Sequence, residues 1–288
     1  MKRYFAYASI ALALFLCTLT YFTCIKRTKG FCYTKIHSRY AYDHRWDFGP
    51  PSKSQEALLD HITEQPFTLL GSGKECYAFV SSDGKIVVKF FKQKHMRTQY
   101  VLNYLPLSTR TQTLRNVMLN RHRAKRNALY QSYQIAYERL PEETGVLYLH
   151  LTKTNYLNQT ILLNISDRKS LKLKLDDMEF LVQKRAYSIF DELNAHPEKG
   201  EEIISSIVEL ITNRNKKGVG DNDVNCARNL GIIGGKAVQI DVGEFYPSIP
   251  KLEIQDELKQ ATLDLHTFLE QNHPELVPYL QCQLNPLQ

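Results

Sequence analysis

The chain has 288 residues, 43% of them hydrophobic and 23% charged, with 13 glycines and 11 prolines. That is the composition of an ordinary folded protein, which excludes a collagen-like, low-complexity or wholly disordered chain and leaves room for one large domain or two small ones. The net charge of +7 is too mild to select nucleic acid over other anionic partners. The six cysteines lie far apart with no CxxC pair, so neither a disulfide framework nor a zinc site is expected.

Taken in chain order, the first feature is a run without charge from Tyr4 to Ile25. At about 1.5 Å rise per residue, a helix of roughly 20 apolar residues crosses a hydrocarbon core. The expectation is an uncleaved transmembrane anchor over 4–25, with a secretory signal peptide as its rival because Lys2 and Arg3 open the chain. The heavier basic flank, Lys26, Arg27, Lys29, Lys35 and Arg39, follows the run and predicts a single-pass membrane protein whose C-terminal part is cytoplasmic. Residues 26–54, rich in Tyr, His and Arg and closing on Gly49-Pro50-Pro51, read as a juxtamembrane linker.

A short helix is predicted over 56–63, then strands over 67–70, 76–81 and 85–91, the last two turned by Ser82-Asp83-Gly84. A long polar helix follows over 111–139, then strands over 146–151 and 179–183, with a further strand suggested near 160–165. Beyond Ala186 the pattern turns helical. Residues 201–213 repeat Ile203, Ile204, Ile207, Val208, Leu210 and Ile211 on one face. A polar loop over 218–229 precedes a hairpin over 230–233 and 237–240 turned by Gly234-Gly235, and helical text resumes at the C-terminus.

The chemistry-bearing residues fall in two groups. Gly71-Ser72-Gly73 sits between two strands, where the missing Cβ permits close backbone approach to phosphate, although Gly-x-Gly alone is equally a tight turn. Eighteen residues after Gly71, Lys89 stands in the apolar strand Ile86-Val87-Val88, a costly position for a cation unless an anion offsets it. The second group is the loop from Gly220 to Asn229, holding Asp221 and Asp223, followed by Ile240-Asp241-Val242-Gly243. Hard oxygen ligands of this kind suit Mg²⁺, and a carboxylate left over can orient a hydroxyl nucleophile. The basic stretch Arg121 to Arg126 lacks interleaved aromatic residues and reads as a solvated helix face, or one touching anionic lipid beside the expected anchor, not a nucleic-acid surface.

In this order the residues resemble the protein-kinase-like superfamily over roughly 67–245. The resemblance implies an α+β, two-lobed domain over 55–288, with a β-rich N-lobe to about 183 and a reduced helical C-lobe after it, preceded by the single transmembrane helix. It also implies ATP and Mg²⁺ as cofactors. Gly71 and Gly73 would form the glycine-rich loop, Lys89 would contact the phosphates and Gln183 would lie in the hinge beside adenine. Asp223, or else Asp221, would be the catalytic aspartate, and Asn229 and Asp241 the metal ligands. The implied function is a membrane-anchored phosphotransferase acting on a protein or small hydroxyl-bearing substrate. Cys76 stands where a third glycine would, no His-Arg-Asp tripeptide occurs, and Glu138 is the only helix glutamate near a plausible position to hold Lys89. These departures set a pseudokinase scaffold as the alternative, with a purely structural protein behind it.

Overall fold

The computed structural model describes residues 28–38, 40–93, 109–166, 169–251 and 254–285, with single positions between 12 and 23. Helix α1 (Lys53–Thr63) opens with Ser52, whose backbone N–H donates to Gln55 Oε1 at 2.9 Å, and it turns Leu59 and Ile62 inward. Strands β1 (Pro66–Ser72), β2 (Cys76–Ser81) and β3 (Ile86–Phe91) form an antiparallel meander. Helix α2 (Thr109–Arg139) and β4 (Val146–His150) follow, then a hairpin of β5 (Thr160–Ser166) and β6 (Lys169–Lys174), then β7 (Phe180–Lys184). The seven strands lie in the order β4-β7-β3-β2-β1-β5-β6, with β5 parallel to β1 and every other pair antiparallel.

Because successive side chains alternate across a strand, β3 sends Ile86, Val88 and Phe90 to one face and Val87, Lys89 and Phe91 to the other. The first face packs with Leu59 and Ile62 of α1 and with Phe31 and Ile36. Phe91 on the second packs beneath α2, against Tyr130 and Tyr133, and this core also takes in Val219, Val242 and Phe245 from the C-terminal half. Strands β4, β7 and β3 are therefore buried on both sides, whereas β1, β5 and β6 leave one side exposed, and Lys89 points to the side that meets the C-terminal half.

That half is built on α3 (Ile189–Ala195) and the amphipathic α4 (Gly200–Lys216), whose Ile203, Ile204, Ile207, Leu210 and Ile211 form a separate core with Leu265, Leu269 and Leu280. Leu265 and Leu269 lie on α7 (Leu263–Asn272) and Leu280 on α8 (Val277–Leu284), which follow α6 (Gln255–Ala261). Between α4 and α6 run β8 (Val219–Asp221), the single-turn α5 (Cys226–Asn229), the β9–β10 hairpin (Leu230–Ile233 and Lys236–Gln239) and β11 (Phe245–Pro247), which pairs with β8. The hairpin turn places Gly234 and Gly235 at φ +57° and +82°, which glycine adopts without strain.

Three expectations are corrected. The transmembrane helix is not supported: no helix among the described residues is long and apolar enough to cross a membrane, and the expected anchor, 4–25, lies almost wholly outside those residues. Helix α2 has the length, with 31 residues, but Arg115, Arg121, Arg123, Lys125 and Arg126 interrupt any apolar run. The fold is thus a mixed α+β domain around a seven-stranded sheet. Residues 28–54 are not a bare linker. Phe31 stacks edge-on against Tyr77 and Phe79 at 5.2 and 5.3 Å, Trp46 meets Tyr130 at 5.2 Å, and Gln93 N–H donates to Lys35 O at 2.6 Å. Their aromatic content, read as linker composition, reflects burial. Finally, β6 replaces what the sequence suggested was irregular: Leu171 and Leu173 alternate with Lys169, Ser170, Lys172 and Lys174, as one side of the strand faces solvent.

Candidate functional site

Lys89 lies opposite Ala78 of β2 and Leu181 of β7, so its backbone is fixed by a strand on each side. Its Nζ donates to Ile240 O at 2.5 Å, one residue before Asp241. Burial lowers the pKa of Lys89, opposed by the nearby Cys76 and Asp241. The Cys76 thiol is itself pushed up to about 12 by burial, so it stays neutral at neutral pH. Helix α2 presents Tyr133 here, its hydroxyl 3.6 Å from Cys76 Sγ, and burial raises the phenol's pKa well above its usual value. Glu138 is exposed and accepts from Gln134 Nε2 at 2.9 Å, so it plays no part at Lys89.

The same helix fastens the Asp241-Val242-Gly243 segment. Ser132 Oγ donates to Val242 O and accepts from Phe245 N–H at 2.6 Å. Asp241 is exposed, its Oδ1 accepting Gly243 N–H at 3.2 Å, while Val242 beside it is fully buried. A residue pair with one side chain sunk in the core and the next thrust outward holds the carboxylate in place without burying it.

The loop between β8 and α5 divides its two aspartates between tasks. Asp221 is taken: its side chain is 2% exposed, 3.3 Å from Arg214 Nη1, and it accepts from Gln239 Nε2. Burial raises its pKa and Arg214 opposes that rise. Its Oδ1 accepts the Asp223 N–H at 3.0 Å, which turns the chain so that the Asp223 side chain is exposed. Asn229, buried, donates its amide Nδ2 to Asp223 O at 2.5 Å, and its own backbone O accepts Ile240 N–H at 2.7 Å and Asp241 N–H at 3.3 Å. Asn229 is thus the pin joining the Asp223 loop to Asp241, and its amide oxygen remains the acceptor end of that group. Asp221, Asp223, Asn229 and Asp241 line one narrow cleft, with Lys74, Glu75 and Glu244 on its walls.

Gly71 and Gly73 have space for a Cβ: none of the surrounding atoms comes within 4 Å at Gly71, and at Gly73 only Cys76 O does, at 3.9 Å. Neither has a positive φ. Among the described residues no packing or torsional demand explains glycine at either place. Gly73 N–H donates to Cys76 O at 3.0 Å, closing the turn, and Lys92 Nζ reaches Ser72 Oγ at 2.8 Å and Gly73 O. Lys74 Nζ meets Glu244 Oε1 at 3.4 Å across the mouth of the cleft.

Gln183 is placed differently from the expectation. It is buried, and its Nε2 donates to Thr144 O at 2.5 Å and Gln239 O at 3.3 Å, so its side chain ties β7 to β10 and is not directed at a ligand. The sequence reading also missed Arg214, Gln239, Ser132 and Tyr133. Arg214 was findable, because position 214 continues the buried face 203, 207, 210, 211 of α4. Nothing in the sequence distinguishes Ser132 from other polar residues of α2. Among the described residues no group of three or more His, Cys, Asp or Glu is placed to hold a metal ion.

No family model matches the chain, and no curated protein matches it. Among solved structures it is similar to the Rv3197–erythromycin complex from Mycobacterium tuberculosis at 15% identity and TM-score 0.34, covering 81% of this chain and 60% of that one. It is similar to WbdD bound to the kinase inhibitor LY294002 at 14% identity and TM-score 0.36, covering 75% and 45%. It is also similar to the bifunctional kinase-methyltransferase WbdD at 13% identity and TM-score 0.33, covering 68% and 34%. The chain thus spans under two thirds of each of these proteins. At such scores none of them bears on what this chain does.

Proposed function

We propose that the chain is a kinase-like protein that binds ATP in the cleft between the sheet and the C-terminal half and transfers its terminal phosphoryl group to a hydroxyl of a protein or small molecule. The observation that carries the reading is the division of labour around Asn229: Asp221 is consumed by Arg214, whereas Asp223 and Asp241 keep exposed carboxylates on one cleft, and Lys89 reaches the residue before Asp241. Phosphoryl transfer asks a protein mainly for positioning and charge balance, and these groups supply both. Lys89, a cation held in a desolvated place, is matched to phosphate oxygens. Gly71 and Gly73 leave room for phosphate against the β1–β2 turn. Asp223 orients the acceptor hydroxyl and takes its proton.

The donor set fits Mg²⁺, which uses one or two carboxylates and completes its shell with substrate phosphates and water, so a three-residue protein cage is not required. Asp241 and the Asn229 amide oxygen would hold it. When bound, it would neutralise charge on the phosphates.

The second reading, a nucleotide-binding module without efficient transfer, is favoured by the place of Tyr133 where α2 faces Cys76 and Lys89, with Glu138 turned away to Gln134. The two separate on Asp223. A general base contributes about 10²–10⁴ in rate, so Asp223→Asn is expected to lower ADP release from Mg-ATP by about 10²-fold or more while leaving Mg-ATP binding intact. Binding without ADP release, indifferent to Asp223→Asn, would establish the module instead.

A further inference from the structure

Arg214 sits in the last turn of an otherwise apolar helix face and is among the most fully buried large side chains of the chain. A buried guanidinium is tolerated only where several acceptors surround it, and here they come from three separate segments. Its Nη1 donates to Gln239 Oε1 at 2.5 Å and lies 3.3 Å from Asp221 Oδ2, and its Nη2 donates to Glu257 Oε1 on α6. Gln239 Nε2 bonds Asp221 Oδ2 and also Asp241 O, the latter at 3.2 Å. Glu257 has its other oxygen 3.6 Å from Lys251 Nζ, and the Lys251 backbone exchanges two hydrogen bonds with the Asn215 amide, at 2.8 and 3.0 Å. The C-terminal segment is therefore fastened to the end of α4 and, through Glu257 and Arg214, to Asp221.

Asp221 lines the same cleft, but its carboxylate is engaged by Arg214 and Gln239. Its role is to receive the Asp223 N–H, and that bond sets the direction of the Asp223 side chain. We infer that Arg214 and Glu257 are positioning residues: Glu257 on α6 fixes the Arg214 fork, Arg214 fixes Asp221, and Asp221 aims Asp223 into the cleft. This rests on the proposed role of Asp223. It makes the C-terminal helices part of the site, because the brace that holds the loop from outside comes from α6. An Arg suits the task where a Lys does not, since its two terminal nitrogens serve three acceptors in a fixed plane.

The test uses the full chain with Glu257→Ala, Glu257→Gln and Arg214→Lys. Glu257 does not line the cleft and is less deeply buried than Arg214, so its loss spares the fold more readily than loss of Arg214. Amide hydrogen exchange over residues 219–229 reads the positioning directly and needs no turnover. Glu257→Ala is expected to speed exchange in that loop about tenfold with the β1–β3 amides unchanged, and Glu257→Gln, which keeps an acceptor for Arg214, to restore protection. Arg214→Lys is expected to loosen the loop as Glu257→Ala does. In turnover, Glu257→Ala is expected to lower kcat for ADP release about tenfold with KM for Mg-ATP little changed. Loop exchange equal to wild type in both Glu257→Ala and Arg214→Lys, or a uniform rise across all amides, would overturn the inference. A wild-type chain that neither binds Mg-ATP nor releases ADP would overturn the proposed function, while the exchange result would still decide the brace.

Discussion

Asp83 shows how a single residue can matter for stability and not for the site. It lies in the β2–β3 turn, where Ser81 Oγ donates to its Oδ1 at 2.5 Å and Lys85 N–H at 3.0 Å, an arrangement that lets the side chain close the turn. The Ser81 hydrogen bond, then the Lys85 backbone bond, holds its carboxyl down to about 2. A depressed carboxylate stabilises the fold above its unfolded pKa and loses that contribution as pH falls through the folded value, so the Asp83 share disappears between about pH 4 and pH 2. The group is largely in water, which discounts the effect, and Asp83→Asn is expected to cost about 1 kcal/mol at pH 7 and nothing at pH 2 in urea titrations. At this scale the sequence was informative where chemistry and exposure coincide. Ser82-Asp83-Gly84 was legible as a turn, Lys89 as a charge in an apolar strand and Asp241 as a charge just beyond one. The choice between Asp221 and Asp223 was not, because it depends on Arg214, a side chain from another helix.

At the scale of elements, the connection from β7 to α3 holds the two halves in register. Tyr187 and Ile232 exchange both backbone hydrogen bonds at 2.9 Å, stitching the crossing segment to β9. Gly231 makes that approach possible, since a Cβ there would stand 2.8 Å from Ala186 Cβ and 2.9 Å from Tyr187 O. Gly231→Ala must move a backbone, and the expected loss is about 1–3 kcal/mol of stability, measured by chemical denaturation. A loss near zero would mean the junction yields freely. Elements with a clear apolar pattern were the readable ones: α4 through its isoleucine face and β3 through its continuous apolar run. The β5–β6 hairpin was only partly readable. Its strands sit at the sheet edge, and the parallel pairing of β5 with β1 is a long-range contact with no local signature. Residues 28–54 were misread for a related reason, because burial of Phe31, Ile36 and Trp46 depends on surfaces contributed by β2 and α2.

For the molecule as a whole, the sheet, α2 and the C-terminal half converge on one place. Ser132 holds the Asp241 segment from α2, Lys89 holds it from β3, Gln239 holds it from β10, and Asn229 joins it to the Asp223 loop. Four elements thus fasten the backbone of residues 240–242 around one exposed carboxylate, and a ligand that binds there only in the native state must raise the stability of that state. The measurement that tests this most directly is thermal unfolding of the full chain with and without Mg-ATP, beside Lys89→Met and Asp241→Asn. At 100 times Kd the ligand contributes about 2.7 kcal/mol, or a rise in Tm of roughly 5–10 °C for a domain of this size. Without nucleotide, Lys89→Met is expected to stay within about 1 kcal/mol of wild type, since removing a buried charge offsets the lost bond to Ile240 O. The account predicts a clear rise with Mg-ATP in the wild-type chain that is lost in both variants. No rise in the wild type, or the same rise in all three proteins, would contradict it.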